Sequence, residues 1–507
     1  MRGNTNKQEW SSKWTFIFAA VSSAVGLGNI WRFPFVAYSN GGGAFIIPYF
    51  VAIFLVSTPM LILEITYGAK FRGTTPLTMT RVKRSWEFLG WIPALAGGLI
   101  VFYYGVILVW AGHYAVFSVN KSWGTDTASF FTNEFLGVTG NALVFGGIKP
   151  TLFIGMALLW GISYLVMSVG VKKGLERVNK IILPIMLISA ILLLIRGVTL
   201  EHAHIGLNAL FTPDFSVLTD PMIWLSAFGM ALFSLSLCMG IMVTYGSYLK
   251  KGTEVVNTSY MIAFVDVIFA FLFSVGIFSI LGYMAGTAGV PIEEVATGGA
   301  GLVFVTLPIA LNYMGGFGSV MGVAFFVMLA ITGWTSFLSL QEAFIAPFLE
   351  KFGIDRKKGF GILSLLGFGA SIIYTTGAGQ IILGLVDFTI NNYALPLVAV
   401  LQAVLVGWIV RKLPEFQSHI NSNAIPYFKA NSLWVFSIKY LTPALLGFSL
   451  LMSVYRLVMD TPGMYADRTL PEVLVFAGGV AAILIFVPMI LSKINWSVSV
   501  EDYESTK

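Results

Sequence analysis

The chain has 507 residues, of which 57% are hydrophobic, 15% aromatic and only 11% charged, and its mean hydropathy is +0.84. Soluble proteins carry about 25% charged residues, so this sequence cannot cover the surface of a soluble enzyme, and it is too apolar to be disordered. A net charge of +6 in scattered basic residues argues against nucleic acid as a partner, and a single cysteine, Cys238, excludes a disulfide framework and a thiolate metal site.

Runs of about 20 apolar residues, the length that crosses a bilayer, are predicted at twelve places. The first, 14–37, is interrupted by Gly26 and Gly28, is too long for a signal peptide, and has no small-residue cleavage site behind it. The second and third, 43–68 and 88–118, are separated by Lys70, Arg72, Arg81, Lys83 and Arg84. The fourth and fifth, 150–168 and 179–196, flank Lys172, Lys173, Arg177 and Lys180, and the fifth contains Pro184. The sixth, 222–249, leads through Lys250 and Lys251 to 258–284 and 317–348. Lys351, Arg356, Lys357 and Lys358 precede the ninth run, 359–376, and only 376–380 separates it from the tenth, 381–410. Arg411, Lys412, Lys429 and Lys439 come before or early in 434–457, and the last run is 470–492. The loops 119–149, 197–221 and 285–316 are long enough to cover an outer vestibule. The four histidines, His113, His202, His204 and His419, are dispersed, and His202 and His204 read as solvated loop residues.

Loop charge orients this arrangement. With the N-terminus in the cytoplasm, 24 of the 30 basic residues fall on the cytoplasmic side. The outside receives Lys121, Lys149, Arg196, Arg456 and Arg468, and Arg32 lies within the first span. Basic residues collect on the cytoplasmic face. The asymmetry therefore implies an all-α polytopic membrane protein of twelve transmembrane helices with both termini cytoplasmic, and residues 1–507 read as a single transmembrane domain.

Five charged residues within the runs are candidates for a buried role: Arg32, Glu64, Asp266, Glu342 and Asp387. An ionisable side chain at a helix centre costs about 2.5–3.5 kcal/mol on insertion scales, and such residues face a cavity or a partner. Arg32 and Asp387 are also placed to reach the membrane interface. Asp266, among Val265, Val267 and Ile268, is not. The stretch from Ser22 to Asn29 holds two glycines at mid-span, where freed carbonyls suit a cation and freed N–H groups suit an anion, or where small residues pack against another helix. Ser234-Leu235-Ser236 and Thr335-Ser336 place hydroxyls in two further spans. Together these groups form an oxygen-rich set that fits a hard cation.

At these residues the chain resembles the neurotransmitter:sodium symporter family, in particular its bacterial amino-acid transporters. The string Ala24-Val25-Gly26-Leu27-Gly28-Asn29-Ile30-Trp31-Arg32-Phe33-Pro34 is similar to the family signature of the first helix. Asn40-Gly41-Gly42-Gly43-Ala44-Phe45, Phe233-Ser234-Leu235-Ser236, Gly333-Trp334-Thr335-Ser336 and Val386-Asp387-Phe388 continue the likeness over nearly the whole chain. The resemblance implies a 5+5 inverted-repeat core, spans 1–5 (about 11–196) and 6–10 (about 222–411), with helices 1 and 6 unwound at midplane and extra helices at about 434–492. It implies a first sodium site of the Ala24 carbonyl, Asn29, Ser234 and Asp266. A second is implied at the Ser22, Val25 and Thr332 carbonyls with the Thr335 and Ser336 hydroxyls. The substrate carboxylate is expected at the Leu27 and Gly28 N–H groups and Tyr104. The substrate amine is expected at the Ala24, Phe233 and Ser234 carbonyls and Ser236. Arg32 and Asp387 resemble an outer gate, and Lys7, Trp10, Tyr248 and Glu350 an inner one. Gly174 and Pro184 resemble a fifth-helix motif linked to inward opening.

The departures from the family pattern carry the specificity. Monoamine transporters of the family have Asp where this chain has Gly26, so the resemblance implies a substrate that brings its own carboxylate. Asp266 stands where Asn is usual and adds a negative charge beside the first ion. The chloride-associated Gln position is Met230, although Tyr49 is kept, and the position that carries Glu in some bacterial members is Ala270. Chloride-independent, sodium-coupled transport with two sodium ions is expected. Ile100, Tyr104, Phe233, Met239, Ser336 and Leu340 would form an apolar side-chain pocket without a counter-charge, which suits a hydrophobic neutral L-amino acid, aliphatic or aromatic. Membrane lipid, a monomer or weak homodimer and the bacterial inner membrane complete the expectation. A proton-coupled carrier using Asp266 or Glu342, and a non-transporting sensor or channel, remain as alternatives. No Ser/His/Asp set or metal cluster suggests an enzyme.

Overall fold

The computed structural model describes residues 8–296, 298–422, 429–459, 468–497 and 500. Among them every regular element is a helix, apart from two isolated bridges, Gly42 to Pro213 and Ile148 to Thr376. Helices are the expected solution in a bilayer, because they satisfy every backbone N–H and C=O within the segment.

Among the described residues ten helices are long and apolar enough to cross a membrane: Gly43–Phe71, Arg84–Phe117, Pro150–Ser168, Val171–Val198, Val255–Ala288, Gly315–Phe352, Arg356–Thr375, Gly379–Ile409, Ser432–Tyr455 and Leu470–Lys493. The pair Lys13–Ala24 and Gly28–Ser39, bent by 48° at the break, supplies an eleventh. All eleven coincide with runs read from the sequence. The remaining run, 222–249, is not one helix. It divides into Pro221–Ser234 and Ile241–Ser247. Within the intervening turn Ser236 (φ 53°) and Cys238 (φ 65°) adopt the left-handed backbone that side chains disfavour. The fifth helix starts at Val171, earlier than the apolar run, and passes through Pro184 unbroken. The loop 285–316 contains a further helix, Gly299–Tyr313, that glycine-rich composition conceals.

Burial ranks the spans. In the third, Arg84–Phe117, 83% of the most apolar stretch is buried, against 17% in the last, Leu470–Lys493. The third span lies along the eighth, Gly315–Phe352, with Trp91 against Phe348 (4.9 Å between ring centres) and Phe102 against Phe344 (5.5 Å). The second span meets the inner piece of the sixth backbone to backbone. A Cβ at Gly68 would lie 1.9 Å from the Val243 carbonyl oxygen, and one at Gly246 would lie 2.4 Å from that of Ile65. Only glycine allows this approach. Both broken helices are thereby held in the interior, beside the third and eighth spans.

Candidate functional site

The first half-helix is started by a Ser12/Thr15 capping box and stops at Ala24. Helix resumes at Gly28, so Val25, Gly26 and Leu27 form the bend. Immediately beyond it Asn29 is fully buried and donates from Nδ2 to Asp266 Oδ1 at 2.8 Å and to Ser234 Oγ at 3.3 Å. Ser234 Oγ in turn donates to Asp266 Oδ2 at 2.7 Å. Asn29 Oδ1 accepts the Gly26 N–H at 3.3 Å. Three spans thus bring together the carboxylate, amide and hydroxyl that the family resemblance assigns to a first sodium site, next to the peptide groups of the bend. A buried carboxylate needs such donors or a cation to offset its desolvation.

A second cluster joins the same half-helix to the eighth span. Thr335 Oγ1 donates to the Ser22 carbonyl at 2.8 Å and to the Thr332 carbonyl at 2.7 Å. Ser336 Oγ donates to the Ser23 carbonyl at 3.0 Å and approaches that of Ser22 at 3.4 Å. The buried hydroxyls of Ser22 and Thr332 have no hydrogen-bond partner among the described residues. The set therefore has spare oxygen capacity of the kind a hard cation takes. Among the described residues no hydrogen bond to the Ala24 or Val25 carbonyl joins either cluster.

The bend also packs against the third, sixth and eighth spans. The Leu27 N–H donates to Tyr104 Oη at 3.4 Å. A Cβ at Gly26 would sit 2.8 Å from Ser336 Oγ and 3.1 Å from Tyr104 Oη, and one at Gly28 would sit 3.0 Å from the Phe233 ring. Met239 and Leu340 flank Gly97 of the third span, one turn before Ile100 and two before Tyr104 on the same face. Ser236 Oγ donates to the Ser23 carbonyl at 3.0 Å, and its N–H takes the Phe233 carbonyl at 3.1 Å. Tyr104, Phe233 and Ser336 thus stand against the bend, with Met239 and Leu340 beside Gly97, and none of these carries charge.

Above the bend, Arg32 stands 3.8 Å from Asp387 Oδ2 and 5.0 Å from the centre of the Phe233 ring. Asp387 Oδ1 accepts from Tyr103 Oη at 2.7 Å and from Asn391 Nδ2 at 2.8 Å. A cavity of about 1150 Å³ opens beyond this pair, lined by Arg32, Asp387, Asn391, Asp220, Gln380 and Arg468 among others.

At the opposite end Trp10 is buried, its indole donating to the Tyr245 carbonyl at 2.9 Å and its backbone N–H to that of Tyr248 at 3.0 Å. Tyr248 Oη donates to Glu342 at 2.6 Å. Arg356 clasps both oxygens of Glu342, at 2.9 and 2.7 Å, and donates from Nε to the Met167 carbonyl. Glu350 accepts from the Thr74 N–H at 2.9 Å. Lys7 lies outside the described residues. His202 and His204 keep their rings 6.3 Å apart, and among the described residues no three His, Cys, Asp or Glu side chains could hold a metal.

Sequence reasoning missed several partners. Ser23, whose carbonyl receives both Ser236 and Ser336, was overshadowed by Ser22 beside it. Tyr103 looks like any buried aromatic. Arg356 counts as a loop cation until its distance to Glu342 is known. Glu64 accepts the Cys238 N–H at 3.0 Å and so holds the sixth-helix break from the second span. Lys351, fully buried, pairs with Glu87, which also accepts the indoles of Trp91 (3.0 Å) and Trp496 (2.7 Å).

Comparison with known proteins gives one consistent result. The family model for the sodium:neurotransmitter symporter family matches residues 7–134 and 122–497. An uncharacterized sodium-dependent transporter of Methanocaldococcus jannaschii is 33% identical over 489 residues, which is 96% of this chain and 98% of that protein. The sodium- and chloride-dependent GABA transporter 2 of Mus musculus is 27% identical over 450 residues, 80% of this chain and 74% of its own length. The crystal structure of MhsT in complex with L-phenylalanine is similar with a TM-score of 0.74 and 31% identity, covering 88% of this chain and 99% of MhsT.

Proposed function

We propose that this chain, which belongs to the sodium:neurotransmitter symporter family, imports hydrophobic neutral L-amino acids, aliphatic or aromatic, together with sodium. The chain is an integral membrane transporter that uses sodium and binds a small-molecule substrate, and it is not an enzyme. The observation that carries the finer reading is the lack of a side chain at position 26. A Cβ there would already meet Ser336 Oγ at 2.8 Å and Tyr104 Oη at 3.1 Å, so the protein itself places no carboxylate against these two hydroxyls and the substrate's own carboxylate takes that role. The apolar surroundings of Phe233, Met239, Ile100 and Leu340 disfavour a charged side chain. The likeness to MhsT, which was crystallised with L-phenylalanine, supports the same class.

In this reading Ala24, Asn29, Ser234 and Asp266 hold one sodium ion, and Ser22, Val25, Thr332, Thr335 and Ser336 hold a second. The substrate carboxylate meets Leu27, Gly28 and Tyr104 and completes the first ion's shell. Ion and substrate then raise each other's affinity by the same factor. Asp266 supplies the negative charge that removes a need for chloride. Arg32 and Asp387 close the outer side; Trp10, Tyr248, Glu350 and Lys7 close the inner side. Two five-span repeats in one domain alternate access, with both termini in the cytoplasm of a bacterial cell. Glu342 is already committed to Arg356 and Tyr248, which speaks against it as the carrier of a coupling proton.

The test is uptake into proteoliposomes. A sodium gradient in gluconate medium is expected to drive accumulation of leucine or phenylalanine, and a pH gradient without sodium is not. Preference for glutamate, lysine or a monoamine, or collapse without chloride, overturns the reading.

A further inference from the structure

Where the tenth span ends and the eleventh begins, aromatic and basic side chains form one connected patch. Trp408 donates from its indole to the Lys439 carbonyl at 2.7 Å, and Lys439 Nζ lies 5.3 Å from the centre of the Trp408 ring and 5.2 Å from that of Tyr440. The two rings meet edge to face at 5.4 Å. Arg411, in left-handed backbone (φ 55°), folds back so that Nε donates to the Trp408 carbonyl at 3.3 Å. The patch is open: Trp408 is 48% and Tyr440 46% exposed, and Phe436, tilted against Tyr440 at 5.8 Å, is 50% exposed. Among the described residues neither Lys439 nor Arg411 has a carboxylate partner; nearby Glu415 is taken by Lys70 at 2.8 Å.

We infer that this patch is a binding site for the headgroup of an anionic phospholipid. Lys439 is seven residues past Ser432, where the eleventh helix starts, so it sits about 10 Å along that helix. At that depth on an outward face its ammonium group meets the headgroup layer rather than bulk water. A phosphodiester is the anion found there. Lys439 and Arg411 provide two charges for it, and the exposed Trp408, Phe436 and Tyr440 provide apolar surface for the adjoining glycerol and acyl carbons. Charge complementarity is what selects this occupant: a purely apolar neighbour would leave both cations unpaired in a poorly solvated layer. The inference is independent of which solute is carried.

The experiment compares the full-length protein with Lys439→Gln/Arg411→Gln and with Lys439→Arg, in micelles containing phosphatidylglycerol or phosphatidylcholine, by native mass spectrometry and thermal unfolding. Wild type and Lys439→Arg are expected to retain phosphatidylglycerol selectively and to be stabilised by it. The double variant should lose selectivity by at least about tenfold, following roughly one lipid-facing charge per fivefold, while its stability in phosphatidylcholine stays unchanged. Equal phosphatidylglycerol retention by the double variant overturns the site. So does stabilisation by inorganic phosphate alone, which would mark a soluble-anion site. Stabilisation that depends on protein concentration and not on headgroup charge also overturns it, since the face would then be covered by a second copy of the chain.

Discussion

The phenol of Tyr103 and the carboxylate of Asp387 are joined by a 2.7 Å hydrogen bond that ties the third span to the tenth. Tyr103 adjoins Tyr104, whose own hydroxyl accepts the Leu27 N–H at the bend, so the residue that holds Asp387 and the residue that meets the bend are consecutive on one helix. With Asn391 on the same oxygen, Asp387 keeps its other oxygen turned to Arg32. Tyr103→Phe should therefore loosen outer closure without changing the pocket. A hydrogen bond to a charged group contributes about 1.5–3 kcal/mol, and substrate release to the outside should speed up about tenfold while the order of preferred amino acids is kept. Dissociation kinetics of labelled substrate check this; an unchanged off-rate counts against the gate role.

Gly26 gives the sharpest test of substrate class. Gly26→Asp places a carboxylate against Tyr104 and Ser336, where the amino acid's carboxylate is proposed to sit. Amino-acid binding should fall more than about a hundredfold, because two like charges would share a poorly solvated site. Gly26→Ala, whose Cβ meets the rotatable Ser336 hydroxyl at 2.8 Å, should weaken binding by about tenfold only. Calorimetric titration with leucine separates the two outcomes.

Asp266→Asn removes the charge while keeping the shape that Asn29 and Ser234 contact. Sodium affinity should fall about 10- to 100-fold, given the strength of a unit charge beside an ion in a partly desolvated site. Substrate ranking at saturating sodium should not change. Sodium titrations of substrate binding measure this, and an unaltered sodium dependence would show that Asp266 is not a ligand.

Glu342 and Arg356 form a bidentate pair in which Glu342 is fully buried. Removing one partner strands the other, which costs about 3–5 kcal/mol. Glu342→Gln and Arg356→Gln should each lower the unfolding temperature, and the double variant should recover part of the loss. Equal additivity in thermal unfolding would mean that the pair is not coupled.

The sequence makes some of these relations readable and hides others for physical reasons. Asp266 stands out because its neighbours in the chain are apolar, so a buried carboxylate needs an explanation on any topology. Spans announce themselves by length and composition, and even the short 376–380 gap does separate two helices. The break of the sixth helix does not announce itself. The run 222–249 stays apolar across it, no proline marks it, and of the left-handed residues Ser236, Cys238 and Gly240 only the last is a glycine. Pairs between distant elements are equally hidden. Tyr103 with Asp387 and Lys351 with Glu87 exist only once the third span has been laid against its neighbours.

The contact between Gly68 and Gly246 has a mechanical consequence. At these two glycines the helices touch through peptide groups, so no side chain there can change rotamer to absorb a displacement, and the joint behaves as a weld rather than a bearing. The inner piece of the sixth helix and the second span must swing as one lever. In the proposed transport cycle, travel at the Trp10 and Tyr248 end would then come from the turn at Ser236 to Gly240 and from the bend at Val25 to Leu27, where the helices are interrupted. Paired spin labels across the weld should report one fixed distance through the whole cycle, while labels across either hinge should not.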